Sequence, residues 1–254
     1  SGGFKKNIDI EKINEGRNKL NIYKNNEPMN NNIPEIQVKV IDNVDSLNNL
    51  IKRINERYPD INWNFLSEES KKEELVSKFK KSDWLWVIDT ETTSLNPLDA
   101  ELVGIGLCLG DQSKDLFYIP IGHKDEKKFI KQLKIDTIFD SIKLWLENQN
   151  KGKVLQNCKF DRQVFFNHGI DLKGVYFDTL LADYLLNNQE KHSLSNIAYR
   201  ELGYKTPSFK ETLGKKKDFS FINVNEASIY CGYDVLATKK IYEIFKKKFK
   251  SNKI

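Results

Sequence analysis

Apolar residues recur with two different periods along the chain, and each change of period marks an element boundary. Residues 1 to about 35 are polar and rich in Asn and Lys, without apolar periodicity, so residues 1–35 are expected to be flexible linker. Ser1-Gly2-Gly3 at their head is expected to be a tag remnant. The folded domain is expected over 36–254. It opens with Gln37-Val38-Lys39-Val40-Ile41 as a strand, followed by a helix from Ser46 to Arg57 with Leu47, Leu50, Ile51 and Ile54 on one face. Leu75, Val76 and Phe79 give the charged segment Ser67 to Lys81 the spacing of a surface helix.

The sheet then begins. Trp84-Leu85-Trp86-Val87-Ile88 is a continuous apolar run of strand length that ends in Asp89-Thr90-Glu91. Leu102 to Leu109 and Leu116 to Ile121, joined by Gly110-Asp111-Gln112-Ser113, have the pattern of a meander. Further on come a helix around 128–148, a short strand Lys153-Val154-Leu155, and a helix from Lys159 that Gly169 terminates after His168. Asp178-Thr179 opens a helix over 180–186, another spans 193–202, and a long basic loop leads to a final helix over 226–249. Strands first and strand–helix alternation afterwards predict an α/β fold, a mixed sheet flanked by helices.

Composition narrows the function classes. No apolar run approaches the ~20 residues of a membrane-spanning helix. Cys108, Cys158 and Cys231 are far apart and form neither a disulfide ladder nor a CxxC pair, which suits an intracellular, reducing compartment. A formal charge of +5 permits nucleic-acid binding without requiring it. The Lys/Asn bias points to an AT-rich genome.

Three pairs of polar residues carry the chemistry. Asp89 and Glu91 lie two apart on a strand, so both side chains leave by the same face. Adjacent carboxylates repel, and a divalent cation turns that penalty into a binding platform; turn chemistry at a strand end is the plain alternative. Asn157 and Asp161 share one face of a helix start, where a cap and a residue favoured by the helix dipole are equally at home. Tyr230 and Asp234 lie one turn apart on the last helix, whose apolar side is marked by Ile229, Tyr233, Leu236, Ala237, Ile241, Ile244 and Phe245. An acid near such a stripe is costly unless paired or metal-bound; otherwise it is a boundary aspartate facing solvent.

In chain order these pairs are DxE, NxxxD and YxxxD. That order resembles the tyrosine branch of the DEDD exonucleases, and Val87 to Leu95, Gln156 to Arg162 and Phe177 to Leu181 are similar to stretches of the 3′→5′ exonuclease domains of bacterial-type DNA polymerase I. Val103-Gly104-Ile105, Tyr118-Ile119-Pro120-Ile121 and His192-Ser193-Leu194-Ser195 also fit, so the resemblance runs from about Ile36 to Phe249. The segment Glu68 to Lys81 is longer than usual, and Phe160 stands where the family often has Tyr. Together with the Lys/Asn bias, the resemblance extends to plastid (apicoplast) replicases of parasitic protists, which implies a plastid location.

The resemblance implies a ribonuclease H-like, DnaQ-like fold with a mixed five-stranded sheet. It implies two divalent ions per site, with Asp89, Glu91 and Asp234 holding one and Asp89 bridging to a second supported by Asp161. Tyr230 then orients the attacking water, while Thr90, Leu95, Gln156, Asn157 and Phe160 position the terminal nucleotide. All the ligands are oxygens, and His123, His168 and His192 lack metal-ligand spacing, which selects Mg²⁺ or Mn²⁺. The implied partner is a single-stranded or frayed 3′ end of DNA, bound by a monomeric module joined to a polymerase domain. A ribonuclease D-like RNA exonuclease shares the same chemistry, and a non-catalytic scaffold is disfavoured because all four carboxylates and the tyrosine are present. Asp178 is expected to be a helix N-cap, Cys158 and Cys231 small buried residues, and Lys215-Lys216-Lys217 either a solvated face or a phosphate-contacting patch.

Overall fold

The computed structural model describes residues 33–57, 85–110 and 113–252. The apolar run before Asp89 becomes strand β2 (Trp86–Thr92), buried on both faces except at Asp89. A strand apolar on both sides needs a layer over each face, and here helices supply both. With β1 (Val38–Val40), β3 (Leu102–Cys108), β4 (Leu116–Pro120), β5 (Lys153–Leu155) and β6 (Val175–Asp178), it forms a six-stranded sheet in the order β1-β4-β3-β2-β5-β6. The pairs β2–β3 and β3–β4 are antiparallel, and β1–β4, β2–β5 and β5–β6 are parallel.

The expected count of five strands is corrected to six by β6. Only Val175 and Phe177 of its four residues pack on the core, half-buried on either side of the exposed Tyr176, as suits a short edge strand. Strand β2 also runs on through Thr92, so the Asp-Thr-Glu motif lies within the strand and not beyond its end. The helix expected around 128–148 is confined to α2 (Ile135–Leu146). The basic loop contains a short helix α6 (Phe209–Leu213), opened by a Ser208–Glu211 capping box, and a 3₁₀ turn at Phe219–Phe221. The charged segment over 67–81, Trp84, and Asp111 and Gln112 of the meander turn lie outside the described residues, as does most of the expected linker.

One face of the sheet is covered by α1 (Val44–Arg57), α2 and α3 (Cys158–Asn167), which pack Leu50, Ile54, Ile142 and Phe165 against Trp86, Ile88 and Ile105. The other is covered by the long helix α7 (Val224–Asn252), with Val235 and Leu236 against Val87 and Val154. Helices α4 (Thr179–Leu186) and α5 (Leu194–Leu202) pack in turn on α7 through Ala182, Ile197, Ala237 and Ile241. Ile229, expected on the apolar side of α7, is instead 49% exposed; Ala227 and Cys231 take the buried positions of that turn. The fully buried Lys239 donates from Nζ to the Leu85 carbonyl at 3.0 Å, tying α7 to the start of β2.

How closely α7 approaches the sheet is set by Gly106 of β3, while Gly104 of the same strand makes room for the Tyr118 ring of β4. Asp89 lies opposite Gly106 and Glu91 opposite Gly104, and directly opposed residues share a face. A Cβ on Gly106 would stand 2.2 Å from Cys231 Sγ and 3.1 Å from Val235 Cγ1, and one on Gly104 2.1 Å from the Tyr118 hydroxyl. The two carboxylates therefore face a helix that fits only because β3 carries no side chain at Gly106. Gly106→Ala is expected to cost about 1–3 kcal/mol by overpacking, roughly 2–4 °C of melting temperature per kcal/mol in a domain of this size. The cost should shrink in a Cys231→Ala background, where the obstructing sulfur is gone. Additive melting shifts across that double-mutant cycle would show that Gly106 does not set the approach of α7.

Candidate active site

Strand alternation divides the Asp-Thr-Glu motif between the two faces of the sheet. Asp89 and Glu91 project toward α7, and Thr90 projects toward α3, where it meets the third carboxylate. Its backbone N–H and its hydroxyl both donate to Asp161 Oδ1, at 3.0 and 2.7 Å. Asp161 sits in the first turn of α3 and is buried.

That turn is held by an unusual start. Asn157 adopts φ 63° and ψ 52°, the only positive φ outside glycine among the described residues, and its side chain makes no capping bond. Asp178 does the capping instead. It accepts from the backbone N–H of Asn157 and Cys158 at 3.1 and 2.9 Å, and from those of Leu180 and Leu181 at 2.9 and 3.3 Å. The expected cap of α4 is thus observed, and the same carboxylate also serves α3. Asn157 is no side-chain cap, and its exposed amide lines the cleft. A left-handed non-glycine residue beside a buried carboxylate is strain of the kind that persists where the surroundings over-determine it.

From the other layer, Tyr230 and Asp234 stand one turn apart on α7, and the phenol donates a hydrogen bond to the Asp234 carboxylate. The Phe219 ring packs against Tyr230 at 5.7 Å between centroids. Between them Cys231 points at the strand: its thiol hydrogen-bonds Glu91, and its sulfur lies 4.0 Å from Asp89 Oδ2. Ligand atoms of Asp89, Glu91 and Cys231 all lie within 4.8 Å of one another. Nothing in the local pattern around Cys231 signalled this contact, which depends on the close approach of α7 over Gly106.

All four carboxylates are pushed toward their neutral forms. Burial raises Asp89 from 3.8 to about 7. Burial and then the charge of Asp89 hold Asp161 and Asp234 well above the usual range, and Glu91 is raised by burial, then by Asp89 and Asp234. Glu91 Oε1 is buried without a hydrogen-bond partner. Burial, followed by Asp234, Glu91 and Asp89, pushes the Tyr230 phenol far above its ordinary value, so it stays protonated and acts as a donor. A set of crowded oxygen donors with one orphaned oxygen fits hard divalent cations held by Asp89, Glu91, Asp161 and Asp234. Cys231, raised by burial and then by Glu91 and Asp89, remains a neutral thiol that donates to this cluster.

A cleft of about 730 Å³ opens onto the cluster, lined by Asp89, Thr90, Glu91, Tyr230 and Asp234 together with Leu95, Gln156, Asn157 and Phe160. Asp161 lies behind this surface, reached through Thr90. Leu95 is 77% exposed at the cleft, an apolar side chain left largely uncovered by the described residues. The Gln156 amide is committed within the protein: it donates to the His192 carbonyl at 3.1 Å and accepts from the Thr179 hydroxyl at 2.5 Å. Thr90 likewise serves Asp161. The cleft also includes Tyr184, His192 and Phe209, which no local sequence signal marked as facing it. Lys215 and Lys216 line a separate groove of about 710 Å³ that shares Tyr230, and Lys216 is ion-paired with Glu226 at 2.8 Å.

Comparison with known proteins agrees with this geometry. The family described as 3′-5′ exonuclease matches residues 64–250. DNA polymerase I of a Synechocystis strain is 42% identical over 172 residues, covering 65% of this chain and 17% of the relative. DNA polymerase I of Borreliella burgdorferi is 30% identical over 199 residues, covering 77% of this chain and 21% of the relative. The chain thus spans about a fifth of the length of these relatives. Among solved structures, Escherichia coli RNase D superposes with a TM-score of 0.57 at 14% identity, over 85% of this chain and 46% of that one. The Aedes aegypti Nibbler EXO domain does so with a TM-score of 0.56 at 9% identity, over 87% and 94%. At such identities these two establish the ribonuclease H-like fold alone. With the family matched across most of its length and the acidic cluster assembled at the centre of that fold, the chain belongs to the 3′-5′ exonuclease family.

Proposed function

We propose that this chain is the proofreading module of a DNA polymerase I, removing nucleotides from single-stranded or frayed 3′ ends of DNA as nucleoside 5′-monophosphates. The observation that carries the reading is the convergence of Asp89, Glu91, Asp161 and Asp234 from both layers of the fold, with Tyr230 beside them. Asp89, Glu91 and Asp234 are the residues to hold one Mg²⁺ or Mn²⁺, and Asp89 with Asp161 a second. When bound, such ions acidify the attacking water and neutralise charge at the phosphoryl group. Tyr230, kept protonated, contributes a hydrogen bond that orients the water, and no role as proton acceptor. Leu95 and Phe160 wedge against the terminal bases, reading shape and not sequence. Identity to DNA polymerases I supports a DNA substrate and attachment to a polymerase domain. An RNA substrate is the second reading, favoured only by likeness of fold to RNase D, which the name of that structure calls an exoribonuclease. The three free cysteines suit a reducing compartment.

Product analysis on 3′-labelled single-stranded DNA, mismatched duplex and RNA tests the reading. DNA should be degraded with Mg²⁺ or Mn²⁺ and untouched in EDTA, with mismatched ends cut faster than matched ones. RNA cut faster than DNA would favour the second reading. Asp89→Asn removes the shared ligand and should lower the rate by several orders of magnitude with the fold intact; a merely tenfold loss would sink the ligand assignment.

Tyr230→Phe keeps the ring against Phe219 and deletes only the hydroxyl. Single-turnover cleavage should slow roughly 10–1000-fold, equivalent to ~1.4–4 kcal/mol of transition-state positioning, with DNA affinity unchanged. Cleavage at the parental rate would leave Tyr230 as packing.

The crowded carboxylates also set a pH dependence. Asp89 in the folded chain retains up to about pH 7 a proton that its ordinary value of 3.8 would release. Its contribution to stability is therefore complete below 3.8 and lost as pH rises through about 7, with Glu91, Asp161 and Asp234 shifted in the same direction. In EDTA the protein should melt lower at pH 8 than at pH 5.5, and Mg²⁺ or Mn²⁺ should restore the loss at pH 8. A melting temperature at pH 8 indifferent to divalent ions would contradict the metal site.

A further inference from the structure

Away from the carboxylates the cleft has a second prepared wall that hydrolysis does not use. Tyr184 on α4 lies flat against the imidazole of His192, with centroids 3.6 Å apart and planes at 27°. Both line the cleft that holds Leu95, Asn157 and Phe160. The pair is fixed from the His192 side. His192 Nδ1 donates to Asp183 Oδ2 at 2.6 Å, and its carbonyl accepts from Gln156 Nε2 at 3.1 Å. Asp183, its side chain fully buried, also accepts from Asn187 Nδ2 at 2.8 Å and from the Arg200 guanidinium. Burial alone would raise that carboxyl, yet the bonds from Arg200, Asn187 and His192 bring it below its ordinary value, so it stays ionised.

The two rings differ in exposure. The His192 side chain is 10% exposed, whereas Tyr184 is 51% exposed, so the imidazole is the covered member of the stack and the phenol the open one. An aromatic ring with one face on an anchored imidazole and the other on a cleft is already in its binding orientation, and occupying it costs little ordering. Every nucleobase offers a π face to such a ring, whatever its hydrogen-bonding edge.

We propose that the open face of Tyr184, backed by His192, is a stacking subsite for an unpaired nucleobase of the bound strand. The inference rests on the exonuclease reading above and adds to it a surface that grips the strand without touching the reacting phosphate. Tyr184 and His192 are on this account binding and positioning residues, with no part in the chemical step.

Replacement of Tyr184 by Leu keeps an apolar cover over His192 but removes the π face, and replacement by Phe keeps it. Single-stranded DNA carrying 2-aminopurine at each of the last three positions in turn serves as the probe, with steady-state cleavage in Mg²⁺ measured alongside. Tyr184→Leu should raise KM roughly fivefold or more, leave kcat within about twofold, and lose fluorescence quenching at one of the labelled positions. Tyr184→Phe should match the parent in all three. Parental KM and quenching in Tyr184→Leu would overturn the subsite, as would a loss confined to kcat or a Phe variant as impaired as Leu. A parent protein that neither binds nor degrades DNA would instead strike the exonuclease reading itself.

Discussion

Four carboxylates brought together in a largely dry space repel one another, and the rest of the structure is arranged around that repulsion. Among the described residues, no Lys, Arg or His is ion-paired with Asp89, Glu91, Asp161 or Asp234; the hydrogen-bond donors they receive from side chains are the neutral Thr90, Tyr230 and Cys231. Neutral donors offset part of the desolvation of a carboxylate but none of the mutual repulsion. The raised values of all four, and the partnerless Glu91 Oε1, are what a cluster short of positive charge looks like. An acidic group that only stabilised the fold would be paired, as Asp183 is with Arg200 and His192. The contrast between these two buried acidic centres, one balanced and one not, separates scaffold from site.

Holding such a cluster together requires elements whose stability lies elsewhere. Strand β2 is covered on both faces, so its position is secured by apolar packing before any charge is considered. Its alternation then delivers two carboxylates to the α7 side and uses the intervening Thr90 to hold the third from the opposite layer. Helix α7 reaches the sheet because β3 offers Gly106 across from Asp89, and it is tied down by Lys239. Asp178 secures the first turns of α3 and α4 together, and so fixes the turn that carries Asp161. The energy that opposes repulsion is thus spread over hydrophobic contacts and caps remote from the charges themselves.

What was legible in the sequence was whatever depends on spacing within one element. Two residues on a strand and four on a helix fix relative direction, so Asp89 with Glu91 and Tyr230 with Asp234 were found, and the Asp178 cap with them. Strand β6 escapes the sequence pattern because its inward alternation is only Val175 and Phe177 around the exposed Tyr176, too short to stand out from a loop. The contact between Cys231 and Glu91, the second duty of Asp178 and the placement of His192 over Asp183 link residues distant in sequence or on different elements. Local periodicity carries no information about such meetings. Asn157 shows the same limit from the other side: its position invited a capping role that Asp178, 21 residues away, has taken.

The division of the cleft into a charged floor and aromatic or apolar walls has a consequence for how a strand is held. An acidic cluster repels phosphates, and a formal charge of +5 over 254 residues supplies little long-range attraction. On the proposed reading, grip comes from groups that engage bases, and the cleft offers Leu95, Phe160, Tyr184 and Phe209 for it. Each needs the face of an unpaired base, which a terminal nucleotide within a duplex keeps stacked on its neighbour. The proposed selectivity for frayed ends therefore does not require the carboxylates to sense mismatches. On the proposed reading it would follow from placing the binding energy on surfaces that only an unpaired strand can reach, while the charged floor, indifferent to sequence, would act on whatever phosphate those surfaces bring to it.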